Sequence, residues 1–131
     1  MPAFALTARS PAAVEEVWKL LHDPSRFPEW WEGIETVEVR EVAPGETAYT
    51  VWPDGYPDFP MDQHLEQAPG RVTVSCLVSD LMFTWQLREA GSGTDIAVTV
   101  DLPEREAYRF PTQERLVEAS LATLARLAAA A

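Results

Sequence analysis

A single cysteine, Cys76, occurs in 131 residues. That excludes an internal disulfide and a cysteine-based zinc cluster. Basic residues are scarce: ten Lys and Arg stand against 21 Asp and Glu, a formal charge of −11. Neutralising phosphates needs a Lys/Arg patch, so no nucleic-acid partner is expected. An anionic membrane surface is disfavoured for the same reason. No apolar run approaches the roughly 20 residues of a membrane span. The opening MPAFALTARSP lacks the long apolar stretch of a secretion signal, so a cytoplasmic protein is the default expectation. There is no nucleophile elbow, glycine-rich phosphate loop or Ser/His/Asp arrangement. Two separated histidines, His22 and His64, do not make a metal site. No metal and no cofactor are therefore expected. What the chain does have is 47% hydrophobic and 24% charged residues. That is an ordinary globular composition, at a length suited to one domain over residues 1–131.

Periodicity supplies the elements. Phe4, Leu6 and Ala8 share one face of a short strand over residues 3–8. Ser10 and Pro11 read as the N-cap and first-turn proline of a helix. Glu15 and Glu16 suit its dipole, and Val14, Val17, Trp18 and Leu21 form its buried stripe. Asp23-Pro24 ends that helix near His22 and starts a second, short one, broken by Pro28, that carries Phe27, Trp30 and Trp31. From Gly33 the pattern alternates. Val37 and Val39, Tyr49 and Val51, Met61, Gln63 and Leu65 fall in phase along three strands. Val72, Val74, Cys76 and Val78, then Phe83, Trp85 and Leu87, then Ile96, Val98, Val100 and Leu102 do so along three more. Pro44-Gly45, Pro69-Gly70, Ser79-Asp80 and Gly91-Ser92-Gly93 turn the chain between them. Residues 52–60, with Pro53, Pro57, Pro60 and Gly55, read as an aromatic loop. After a connection over residues 103–111, Thr112 is expected to cap a helix reaching Ala128, roughly 25 Å long. Its buried stripe is Leu116, Val117, Ser120, Leu121, Leu124 and Leu127, with Val117, Leu124 and Leu127 against the sheet; Arg115, Glu118 and Arg126 point away.

Strand, helix, helix, six hairpin-linked strands and a long helix define an α+β fold. The sheet is antiparallel and apolar on one face. The final helix is the one element large enough to cover that face, so a curved seven-stranded sheet around it is expected.

Residues 10–39, SPAAVEEVWKLLHDPSRFPEWWEGIETVEV, carry a resemblance. Val17-Trp18, Asp23-Pro24 and Trp30-Trp31 are similar to the opening of the START-related, polyketide cyclase/dehydrase-like superfamily (SRPBCC). GSGTDIAVTV, residues 91–100, is similar to its glycine-threonine hairpin. The element order agrees over nearly the whole chain. The resemblance implies the helix-grip fold, also that of birch-pollen-allergen-like domains. It says little of activity, since these are packing motifs and the superfamily hosts binders, transporters and enzymes.

The inward faces carry no charged side chain. Their polar groups are Tyr49, Gln63 and Ser120, which suits a neutral, mostly apolar guest. Candidate ligand contacts are Tyr49, Met61, Gln63, Phe83 and Trp85 on the strands, with Ser120 and Leu124 on the last helix. Each also reads as plain core. Gln63 must find a partner: Tyr49 on the next strand, or a ligand. Ser120 can bond back to the carbonyl of Leu116. His64 shares an outward face with Asp62 and Glu66 and reads as part of a solvated acidic stripe rather than as a general base. His22 reads as a capping residue, and Cys76 as inert. The resemblance further implies that the loops after the third, fifth and seventh strands form a cavity mouth. They hold Trp52, Tyr56, Phe59, Arg105, Tyr108, Arg109 and Phe110.

Three functions stay open. The first is binding of a small, neutral, mostly hydrophobic molecule between sheet and helix, by a monomer or homodimer. The second is a polyketide cyclase/dehydratase-type enzyme using the same cavity. The third is a filled-core module acting through its acidic surface. An inward unpaired acid or base would favour the enzyme, an empty apolar cavity the binder, and a solid core the module.

Overall fold

A computed structural model describes residues 2–130. Strand β1 (Ala3–Ser10) leads to helix α1 (Val14–Leu21) and a 3-10 turn at Pro24–Glu29. Strands β2 (Ile34–Ala43), β3 (Glu46–Pro53), β4 (Met61–Ala68), β5 (Arg71–Cys76), β6 (Met82–Ala90) and β7 (Gly93–Asp101) follow. A second 3-10 turn, Glu104–Arg109, runs directly into helix α2 (Phe110–Ala130). The seven strands form one antiparallel sheet in the order β1-β7-β6-β5-β4-β3-β2. This curved sheet with its C-terminal helix is the helix-grip α+β fold. No described helix is long and apolar enough to cross a membrane.

The alternation fixes which face is inside. Phe4, Tyr49, Val51, Leu65, Val72, Val74, Phe83, Trp85, Ile96, Val98 and Val100 are buried together with Val117, Leu121, Leu124, Ala125 and Ala128 of α2. The short turn after α1 adds Phe27, Trp30 and Trp31. These pack edge-on against Tyr49, Phe83 and Trp85, with ring centroids 5.0–5.8 Å apart, and Trp30 Nε1 donates to the carbonyl of Leu20 at 3.0 Å. Asp23 caps this turn as expected, accepting from the Ser25 N–H at 3.0 Å. His22 closes α1, its Nδ1 2.6 Å from the Trp18 carbonyl.

Several expectations fail locally. Ser10 does not cap α1. β1 runs on through it, Ala13 takes the N-cap position, and Pro11 lies between the two elements. The Ser10 hydroxyl instead donates to the Ala125 carbonyl at 2.7 Å and accepts from the Ala12 N–H at 3.2 Å. Thr112 is no cap either, because the chain is already helical from Phe110. Leu127 is half-buried and lies near Leu20 of α1, not against the sheet. Val39 is 37% exposed: β2 is an edge strand, and its register shifts between Val39 and Glu41. Val78 is exposed because β5 ends at Cys76. Trp52 and Pro53 belong to β3 rather than to the loop.

Two variants probe this arrangement. A Cβ at Gly93 would lie 2.4 Å from the Ser10 carbonyl oxygen, a backbone atom with little room to yield. Gly93→Ala is expected to lower unfolding stability by about 1–3 kcal/mol or more, read by urea titration. Leu124 is fully buried, so Leu124→Asp should cost more than about 3 kcal/mol. A melting temperature equal to the parent's would contradict the assigned helix face.

Candidate ligand cavity

A cavity of about 520 Å³ lies between the inner face of β3–β6 and the first turns of α2. Trp31, Ile34, Val51, Met61, Cys76, Leu81, Phe83 and Leu116 give it apolar walls, and Gln63 sits among them. Its rim draws on three connections: Asp54 and Tyr56 after β3, Ser79 after β5, and Tyr108 and Arg109 after β7. Tyr56 and Tyr108 are exposed there. The connections are held in place from outside. Arg105 pairs with Asp80 and reaches the Ser79 carbonyl, tying the turn after β7 to the turn after β5. Asp80 carries the one positive φ of a non-glycine described residue, 61°. Arg109 is paired with Glu106 at 2.8 Å.

The expected contacts separate into two groups. Met61, Gln63 and Phe83 line the cavity. Tyr49 stands behind Gln63, its hydroxyl donating to Gln63 Oε1 at 2.9 Å. Trp85 and Leu124 are fully buried in the core and off the lining. Ser120 is occupied: it donates to the Leu116 carbonyl at 2.6 Å and accepts from the Glu32 N–H at 2.8 Å. At the mouth, Tyr56, Tyr108 and Arg109 line the rim, whereas Trp52, Phe59 and Phe110 do not. Trp52 follows inward-facing Val51 and so points to the other side of the sheet. Phe59 leans on Tyr56 in the open, and Phe110 packs edge-on against Phe4 at 5.1 Å. Trp31, Leu81, Gln113 and Leu116 were not singled out as contacts. For Gln113 and Leu116 the three-residue helical spacing was the available signal.

Burial, and secondarily the field of Cys76, raise the Tyr49 phenol well above its ordinary value of 10.0. The phenol therefore stays a donor at neutral pH. The charged lining residues Glu32, Asp54 and Arg109 are at the rim, not the floor. His64 lies on the outer face, 3.7 Å from Glu46 and 3.8 Å from Glu66. The ligand atoms of these three lie within 4.8 Å of one another, the only such group among the described residues. Another outer depression holds Arg9, Arg71 and Arg88 around Asp95, with Arg9 bonded to the Ala90 carbonyl at 2.8 Å.

A curved sheet gripping one helix, with a hollow between them, defines a helix-grip domain. The chain belongs to the family described as polyketide cyclase/dehydrase and lipid transport, whose model matches residues 1–130. Among solved structures it is similar to the Zhui aromatase/cyclase of Streptomyces sp. R1128. That match has a TM-score of 0.80 at 17% identity and covers 97% of this chain and 93% of that one. The protein XoxI of Bacillus cereus matches with a TM-score of 0.77 at 15% identity, covering 97% and 95%. TTHA0849 of Thermus thermophilus matches with 0.77 at 18%, covering 98% of each chain. At such identities the likeness establishes the fold. No curated protein matches the chain in sequence.

The Tyr49 shift has a checkable sign. A phenol whose folded pKa is raised contributes its full stability below the unfolded value and loses it as pH climbs towards the folded one. Unfolding free energy measured from about pH 8 to about pH 11 should therefore fall more steeply for the parent than for Tyr49→Phe.

Proposed function

We propose that the chain binds a small, neutral, mostly hydrophobic molecule in the cavity between the sheet and α2. The observation that carries this reading is the lining. Its walls are apolar around the amide of Gln63, with Ser79 a second buried polar side chain towards the rim, and charge is confined to the rim. The volume of about 520 Å³ suits a guest of several fused or linked rings. An open hollow favours a binder over a filled-core module. A second reading, a cyclase/dehydratase-type enzyme, is favoured by the family match over residues 1–130. In that case the groups able to move protons are at the rim, chiefly Asp54, Tyr56 and Tyr108, with Glu32 and Arg109 beside them. The buried floor has no carboxylate or imidazole for general acid–base work.

Cys76 supplies the test. It is the only cysteine, is 3% exposed, and lines the cavity. A neutral, carbonyl-bearing fluorophore such as 6-propionyl-2-(dimethylamino)naphthalene should bind at one site and slow alkylation of Cys76 by a small thiol reagent at least several-fold. Leu116→Trp, which narrows the cavity, should weaken the binding and leave the far-UV circular dichroism spectrum unchanged. Dye binding with no protection of Cys76 would place the guest elsewhere and refute the reading.

A further inference from the structure

Tyr49, Gln63 and Cys76 stand opposite one another on β3, β4 and β5, on the inner face. Tyr49 is fully buried, with Phe27 edge-on against its ring at 5.8 Å. Among the described residues, the one polar contact of its hydroxyl is Gln63 Oε1 at 2.9 Å. Gln63 is itself only 7% exposed, and it lines the cavity.

An amide can take either of two orientations against a hydroxyl. In one, the tyrosine O–H donates to the amide oxygen and the NH2 is left over. In the other, the NH2 donates to the phenol oxygen and the phenol proton is left over. The second strands an O–H among apolar side chains, where a lost hydrogen bond is most costly. The first leaves its surplus donor at the cavity. Gln63 Nε2 has no hydrogen-bond partner among the described residues. It is also not sealed off, whereas Trp85 Nε1 is. The aromatic hydroxyl behind the amide thus fixes which end of the amide the cavity presents.

We infer that the cavity selects guests carrying a hydrogen-bond acceptor, a carbonyl or ether oxygen, that meets Gln63 Nε2, with Tyr49 as the positioning residue that holds the amide donor outward. The inference rests on the cavity-binding reading and goes further, from an apolar guest to an acceptor-bearing one. The physical reason is exclusion. Water in the empty cavity can serve the Nε2 protons. A guest without an acceptor displaces that water and leaves a buried donor unserved, and a guest offering only an N–H adds a second unserved donor.

Fluorenone, fluorene and carbazole make the test. They share one neutral, planar, three-ring shape and differ at the bridging position, which bears an acceptor, neither group, or a donor. Their affinities are measured with the intact protein by titration calorimetry, and Cys76 protection locates each guest. The parent should bind fluorenone about fivefold or more tighter than fluorene, with carbazole no tighter than fluorene. Gln63→Leu should bring fluorenone and fluorene to equal affinity. Tyr49→Phe leaves the amide free to turn, so carbazole should gain on fluorene while fluorenone still binds. A merely structural role for the hydroxyl would weaken all three alike. Equal affinities in the parent, with Cys76 protected by all three, would overturn the inference and leave the cavity-binding reading standing. Tighter carbazole than fluorenone in the parent would show that the amide faces the other way. Binding of none of the three would count against the cavity-binding reading itself, and the inference would fall with it. Carbazole gaining nothing in Tyr49→Phe would remove the positioning role.

Discussion

Where β1 leaves the sheet, Ser10 donates to the Ala125 carbonyl, Gly93 lets the start of β7 approach the Ser10 carbonyl, and Thr94 Oγ1 donates to the Ala12 carbonyl at 2.8 Å. Three elements distant in sequence meet at this point, and all their polar groups there are buried. The contact has two consequences. It joins β1 to the far side of the sheet, beside β7, and it sets α2 across the concave face. The hollow then lies between the first turns of α2 and β3–β6. A fully buried Ser and Thr with satisfied hydroxyls specify geometry more sharply than apolar side chains would, because misplacing either costs a hydrogen bond inside the protein.

The aromatic residues after α1 complete the arrangement. Phe27, Trp30 and Trp31 come from a short turn that would not persist alone. They fill the inner face from Tyr49 across to Trp85. Trp31 belongs both to this cluster and to the cavity wall, so the packing that stabilises the turn also bounds the site. Trp85 Nε1 has no acceptor among the described residues, at a cost of about 1–3 kcal/mol. That cost is offset by burying the indole against two others.

The fold was legible because its strands are half-buried. Alternation from Val72 to Leu102 states which side chains face in, and the turn residues between mark the hairpins. Even the outward position of His64 followed from parity. Capping was less legible. Ser10 and Thr112 have the right chemistry for helix starts, but tertiary partners claimed Ser10, and a preceding turn had begun the helix before Thr112. The lining of the candidate cavity was legible on its floor, at Met61, Gln63 and Phe83, where strand parity governs. It was poorly legible at the rim and on α2. Phe59 needed the course of a loop, Trp52 and Phe110 needed the ends of β3 and α2, and for Leu116 and Gln113 helical spacing put the two on one face without saying that the face meets the cavity. The pairing of Tyr49 with Gln63 could be named as one option; which end of the amide remained free required the coordinates.

Ala3 pairs with Asp101 and Ser10 with Thr94, so the first strand has its neighbour almost at the other end of the chain. Every other strand pairing joins sequence neighbours through a short turn or loop. Loop-closure entropy therefore falls almost wholly on one event. As the polypeptide leaves the ribosome, β1 emerges first and has no hydrogen-bonding partner until β7 has been made. The meander from β2 to β7 can assemble by successive hairpins while β1 waits, and β1's own edges stay open to competing strands for that interval.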